Sequence, residues 1–328
     1  FYDNAVVPVP VLRPVSDKTG DRYPQTPIPT HVDQLVVNKL RKLGIVQSDL
    51  CTDAEFLRRA SLDTTGTLPT ASEVKSFLAD TDPEKRSKKI DELLERPGYV
   101  AWWTTRLCDF TGNSDDQLRN VTPVRTAASQ HWYDWIHARV QDNVPYDEIA
   151  EGMVMAVSRD PRESYTAYCE NMSRLYHKDS DYEFSDRETM PHYWSRRNFQ
   201  KPEDRVIGFS YAFLGIRIQC AQCHKHPFDQ WTQEDFKHFQ GFFTGVVGRN
   251  QSPQPKDRKT YDSMLAELDT RNLKGNKLRG QLGRFLKEGE TVPFGEVFTR
   301  KPVKKQPVAK GKKNKKKPRR QRGNSVAT

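Results

Sequence analysis

The chain predicts a mainly α fold: a multi-helix domain with a long irregular insertion, an extended proline-rich N-terminal segment and a disordered basic C-terminal tail. Three observations carry this. Apolar residues recur at helical spacing through most of residues 30–247. Two of these runs open on a threonine followed three residues later by a glutamate, the reciprocal box that satisfies free amides at a helix start. No convincing set of strands follows the first thirty residues.

Residues 1–29 hold six of the 21 prolines, interleaved with Val6, Val7, Val9 and Val11. Proline lacks an amide donor and fixes φ, so this segment reads as an extended linker or the end of an upstream β module. Thr30 caps a helix whose apolar face is Val32, Leu35, Val36, Leu40 and Leu43. Thr52 with Glu55 opens a second helix bearing Phe56, Leu57, Ala60 and Leu62. Thr70 with Glu73 opens a third bearing Val74, Phe77 and Leu78. Asp82 before Pro83 starts a fourth, which Gly98 is expected to end. Further helices are expected over 99–110, 124–141 and 146–156.

Residues 158–200 lose the periodicity and are polar, charged and rich in tyrosine, with the stretch His177 to Asp181 among them. They are expected to form a long ordered insertion with little regular structure, which is uncommon and often functional. The helical pattern returns at 203–219, where Val206, Ile207, Phe209, Tyr211, Phe213 and Leu214 make a nearly all-round apolar helix expected at the centre of the core. Thr232 starts another with Phe236, Phe239, Phe242 and Phe243. The organisation expected is a linker over 1–29, a helical domain over 30–247, a polar, partly helical extension over 248–300 with one exposed helix at Ser263–Arg271, and a disordered tail over 301–328.

Composition bounds the function classes. The 328 residues suffice for a buried core, but only 35% are hydrophobic, so part of the chain is expected to stay unfolded. The longest uncharged apolar stretch, Val206 to Ile216, is far shorter than the roughly 20 residues a membrane-spanning helix needs, so none is expected. Collagen, coiled-coil rods and disulfide-dense mini-proteins are excluded. The net charge of +10 belongs to the tail: residues 301–328 hold twelve Lys or Arg and no acid, and the body is close to neutral. A nucleic-acid-binding fold is therefore not indicated for the body. The tail reads as a solvated terminus first and as a contact for anionic polymers second. The chain starts at Phe1 without methionine or signal peptide and reads as a processed chain or an excised piece.

Of five cysteines, Cys51, Cys108 and Cys169 are scattered, whereas Cys220 and Cys223 are followed directly by His224. C-x-x-C-H is the attachment signature of c-type haem. Two thiols three positions apart can reach two vinyl groups of one porphyrin, and the adjacent imidazole then lies beneath the iron as its proximal ligand. Phe228, Phe236 and Phe239 could supply an apolar wall. Three rival readings stay open: zinc held by Cys220, Cys223 and either His224 or His226 with a fourth ligand from elsewhere, a dithiol–disulfide pair, and buried structural cysteines. For the sixth iron ligand the candidates are His192, Met153, Met155, Met190 and His238, or an open position. His226 and Asp229 form an H-x-x-D group in which the carboxylate either orients an imidazole from the second ligand shell or caps the turn at Pro227. There is no Gly-rich phosphate loop, G-x-S-x-G or H-E-x-x-H.

Leu57-Arg58-Arg59-Ala60-Ser61-Leu62-Asp63, followed by Gly66, Pro69 and Thr70, resembles the L-R-R-x-x-L-D-x-x-G-x-x-P-T signature of a planctomycete-specific, cytochrome-associated domain family of unknown function (PSCyt type). Phe213-Leu214-Gly215 through Cys220, Cys223, His224, His226 and Asp229 resembles the second signature of the same family, and the likeness covers roughly residues 30–245. The resemblance implies a mostly helical domain with a candidate haem motif, outside the cytoplasm in the periplasm or at the cell surface. It also implies a larger parent protein, with immunoglobulin-like or cytochrome-like modules upstream and a second family domain downstream. No such downstream domain is visible before the basic tail. The expected function is a domain with covalent haem c that takes part in electron transfer with an unknown redox partner. The alternatives are a non-enzymatic surface or assembly module with a structural zinc or cysteine site, and a haem enzyme acting on an envelope or polysaccharide substrate.

Overall fold

The computed structural model describes residues 11–177, 180–248 and 252–300; the expectations for residues 1–10 and for the tail 301–328 lie outside them. The described residues hold fourteen α-helices and one short strand pair, so the fold is mainly α, as its periodicity predicts.

The first helices form where local chemistry satisfies their ends. In α1 (His31–Leu43), α2 (Asp53–Thr65) and α3 (Ala71–Ala79) a threonine hydroxyl accepts the amide three residues on, and the acid there accepts the threonine amide in return. Gly44 and Gly66 end α1 and α2 in the left-handed region. The face of α1 differs from expectation. Val37 is its fully buried residue, while Val32, Leu35 and Val36 stay exposed. The helix turns toward the extended segment before it, where Ser16 Oγ donates to the Gly44 carbonyl, Val15 N–H to Leu43, and Tyr23 Oη to Ile45. α4 (Lys85–Leu94) ends before Gly98, which instead lies in the first turn of α5 (Pro97–Thr111). Pro97 at the start of α5 explains the shift.

After α6 (Asp115–Leu118) comes α7 (Ala127–Gln141), whose Trp132, Trp135 and Ile136 are wholly buried at the centre of the core. α8 (Tyr146–Val154) follows. The insertion is more regular than expected. It holds α9 (Tyr165–Arg174), started by Ser164, and the short α10 (His192–Ser195). The inward face of α9 is Tyr165, Tyr168, Cys169 and Met172, a helical stripe written largely in tyrosine.

α11 (Pro202–Leu214) is not the all-round buried helix expected: Tyr211 and Leu214 are exposed, and Arg205 takes an inward position. Its guanidinium donates to the carbonyls of Phe199, Phe243 and Val246, which closes helix and loop ends that apolar contact would leave unpaired. α12 (Gln233–Phe243) starts at the Thr232–Asp235 box and packs on α11. Beyond it lie α13 (Arg258–Glu267), shifted toward the N-terminus from the expected Ser263–Arg271, and α14 (Gly275–Lys287). β1 (Val246–Val247) pairs antiparallel with β2 (Phe298–Thr299), Val246 opposite Thr299. Residues just before β2 enter the main core through Val292, Phe294 and Val297. Glu296 is buried there and takes Arg159 Nε at 2.5 Å. No helix among the described residues is long and apolar enough to cross a membrane.

Candidate functional site

Gly215 ends α11 at φ +64°, and the chain enters a 3₁₀ turn, Ile218–Gln222. Ile218 and Ala221 are buried and anchor the turn to the core, Cys220 is half-buried, and Cys223 faces solvent. The amides of Cys223 and His224 both donate to the Cys220 carbonyl at 3.4 Å, so one turn carries all three residues. Gln233, at the start of α12, donates to the carbonyls of Gln222 and Cys223 and holds the far side of the turn. Both cysteines are free thiols.

The histidine after them is oriented. His224 Nδ1 lies 2.7 Å from the Lys225 carbonyl. A carbonyl only accepts, so Nδ1 carries a proton, and the neutral ring then presents a lone pair at Nε2. This is the tautomer a ligand imidazole needs, fixed by a backbone carbonyl as ligating histidines commonly are.

His226 and Asp229 do not pair with each other. His226 Nε2 donates to the Arg217 carbonyl at 3.1 Å, and its Nδ1 accepts the Phe228 amide at 3.3 Å. The imidazole therefore brackets the loop, joining the residue before the 3₁₀ turn to the residues after the motif. Asp229 accepts the Gln230 amide and, at 3.1 Å, the Trp231 indole N–H, and so serves the turn. Of the expected apolar wall, Phe236 is buried, Phe239 is half-buried against Phe209 and Phe243, and Phe228 stands 94% exposed beside the motif.

His192 sits in a different environment. It is buried, its ring lies flat against Phe184, and its Nε2 is 3.4 Å from His131 Nδ1. Burial, His131 and the nearby Arg187 charge all push its pKa well down. Met153 and Met190 are wholly buried in the core, Met155 is exposed, and His238 lies 3.8 Å from Glu234 on the exposed face of α12. His131 escaped the sequence reading, since a lone histidine on an amphipathic helix carries no distinguishing signal. Among the described residues no three or more His, Cys, Asp or Glu gather into a group that could hold a metal ion.

The arrangement defines a helical domain that displays two unbonded thiols and an oriented imidazole on one surface turn. The chain belongs to the PSCyt2 family, described as protein of unknown function (DUF1549), whose model matches residues 31–247. No curated protein and no solved structure matches it.

Proposed function

We propose that Cys220, Cys223 and His224 carry covalent haem c, and that the domain passes electrons to a redox partner outside the cytoplasm. The observation that supports this most is the tautomer of His224, which leaves Nε2 without a partner on the turn that carries two unbonded thiols. The donor set fits the group: two thiols and one imidazole within five residues, next to the exposed ring of Phe228. Each S–H would add across one vinyl double bond, sulfur to one carbon and hydrogen to the other, so neither oxidant nor leaving group is needed. When bound, the haem iron supplies a one-electron couple. The chain's own part is to hold the turn: Ile218 and Ala221 anchor it, His226 brackets it, and Lys225 fixes the proton on His224 Nδ1. Covalent attachment is envelope-side chemistry, which supports the compartment.

The test is a haem-stained denaturing gel and an intact mass on protein made in its native host. The expected result is a stained band and the mass of one iron porphyrin, both lost in Cys220→Ala/Cys223→Ala. Unmodified thiols would overturn the reading. Zinc bound without a haem absorption band would favour the surface or assembly module instead.

A further inference from the structure

The first family-like signature, Leu57 to Thr70, has no part in the cysteine turn. Three of its residues, Leu62, Asp63 and Gly66, line a cavity of about 510 Å³ against α5, with Trp102, Trp103 and Phe110. Gly66 is at φ +70°, and a Cβ there would run into the Trp102 ring, so the signature glycine lets that indole lie against the chain. Arg106 covers the same indole, its guanidinium carbon 4.3 Å from the ring centre.

This cavity does not stand alone. Trp103 and Phe110 also wall a second one, of about 590 Å³, that reaches the α7–α8 turn and Tyr146. Tyr99, Val140 and Asn143 are shared between that one and a third, of about 610 Å³. The three form a groove along α5, and each lies within the size range of small-molecule sites. Tyr99, Trp103, Leu107 and Phe110 recur at intervals of four, four and three, one helical stripe, yet the stripe is not sealed. Trp103, Phe110 and Tyr146 remain exposed.

The lining selects the occupant. Its floor is aromatic, and the side chains of Asp63, Gln141 and Asn143 along its rim make no hydrogen bond among the described residues. Charge is sparse and mixed: Asp63 and Glu95 against Arg106, with His137. Such a surface gives a strongly charged polymer little to hold. An amphipathic helix would need one continuous apolar trough, whereas shared rings divide this groove into three compartments. Separate exposed rings, Trp103, Phe110 and Tyr146, with unpaired polar groups beside them suit a chain of rings that each carry an apolar face and outward hydroxyls. We infer that the α5 groove, from Asp63 to Tyr146, is a binding site for a neutral oligosaccharide of several rings. The inference is independent of the cysteine turn.

The test titrates the whole chain with cellohexaose, xylohexaose, mannohexaose and laminarihexaose, followed by tryptophan fluorescence and calorimetry. At least one is expected to bind at micromolar to millimolar concentration and to shift the emission of the groove tryptophans. Trp103→Ala should weaken binding at least tenfold, and Asn143→Ala, at the rim, roughly threefold, with helical circular dichroism unchanged. Leu50→Ser, exposed and off the groove, should bind as the parent does. The inference is overturned if none of the four binds, if Trp103→Ala and Asn143→Ala both bind normally, or if the groove instead mediates a concentration-dependent dimer that Trp103→Ala abolishes.

Discussion

Two pairs of histidines sit in this chain under opposite conditions. His131 and His192 lie in the interior in one ring cluster with Phe184, whose ring centre is 4.6 and 4.7 Å from theirs, while their own centres are 5.7 Å apart. They have been stripped of water, and their ring nitrogens face each other. His224 and His226 lie on a surface loop and are fixed by backbone groups alone, through Lys225, Arg217 and Phe228. Burial makes the first pair structural, because a charged imidazole there has neither solvent nor carboxylate to stabilise it. The loop leaves His224 with a free nitrogen at low desolvation cost, which is the condition for ligation. The candidate site thus lies on a thinly packed turn, anchored to the core through Ile218 and Ala221.

The sharpest way to break the contrast is to cut into the interior. Trp132→Ala beside the buried pair should cost about 3–5 kcal/mol of unfolding free energy, because the cavity left by the indole cannot fully collapse. A urea titration checks this, and a loss below about 1 kcal/mol would mean the interior is far looser than its burial implies.

Acid comes next. The pKa of His131 is pushed down to about 4 by burial and, secondarily, by the Arg187 charge. Its unfolded value is about 6.5. Between these values the unfolded chain binds the proton and the folded chain does not, so stability is complete above about pH 6.5 and falls as pH drops toward 4. The linkage amounts to about 2 kcal/mol at pH 5 for that one group. Urea midpoints measured from pH 7 to pH 5 should decline accordingly, and His131→Gln should flatten the decline. An unchanged slope in that variant would assign the effect elsewhere.

The smallest effect belongs to the loop. His226→Ala removes two bracket hydrogen bonds and should cost about 1 kcal/mol, with faster amide exchange at Phe228 and none of the broad loosening caused by Trp132→Ala. Equal disruption in both variants would erase the distinction between the regions.

Much of the fold is legible because it is local. A threonine and an acid three residues apart satisfy each other's amides whatever surrounds them, so the starts of α2 and α3 could be read directly, and the threonines opening α1 and α12 marked theirs. The stripe of α9 is missed, because its inward residues are largely tyrosine and count as polar. The candidate site divides in the same way. The spacing of Cys220, Cys223 and His224 is a feature of the chain, whereas the bracket made by His226 depends on Arg217, nine residues earlier, and could not be inferred from spacing.

What the sequence alone determined is therefore the mainly helical class, the threonine-capped starts of α1, α2, α3 and α12, the family-like signatures and the order of residues in the thiol turn, since each depends on neighbours within about one or two turns of chain. Only the tertiary structure decided that α1 buries Val37 and not Val32, that Arg205 enters the core, that Arg159 meets Glu296 across 137 positions, and that His192 turns to His131. The reason is physical. Periodicity says that a stripe can be buried, but which stripe is buried, and which charge is matched inside, depends on surfaces contributed by segments far away in the chain.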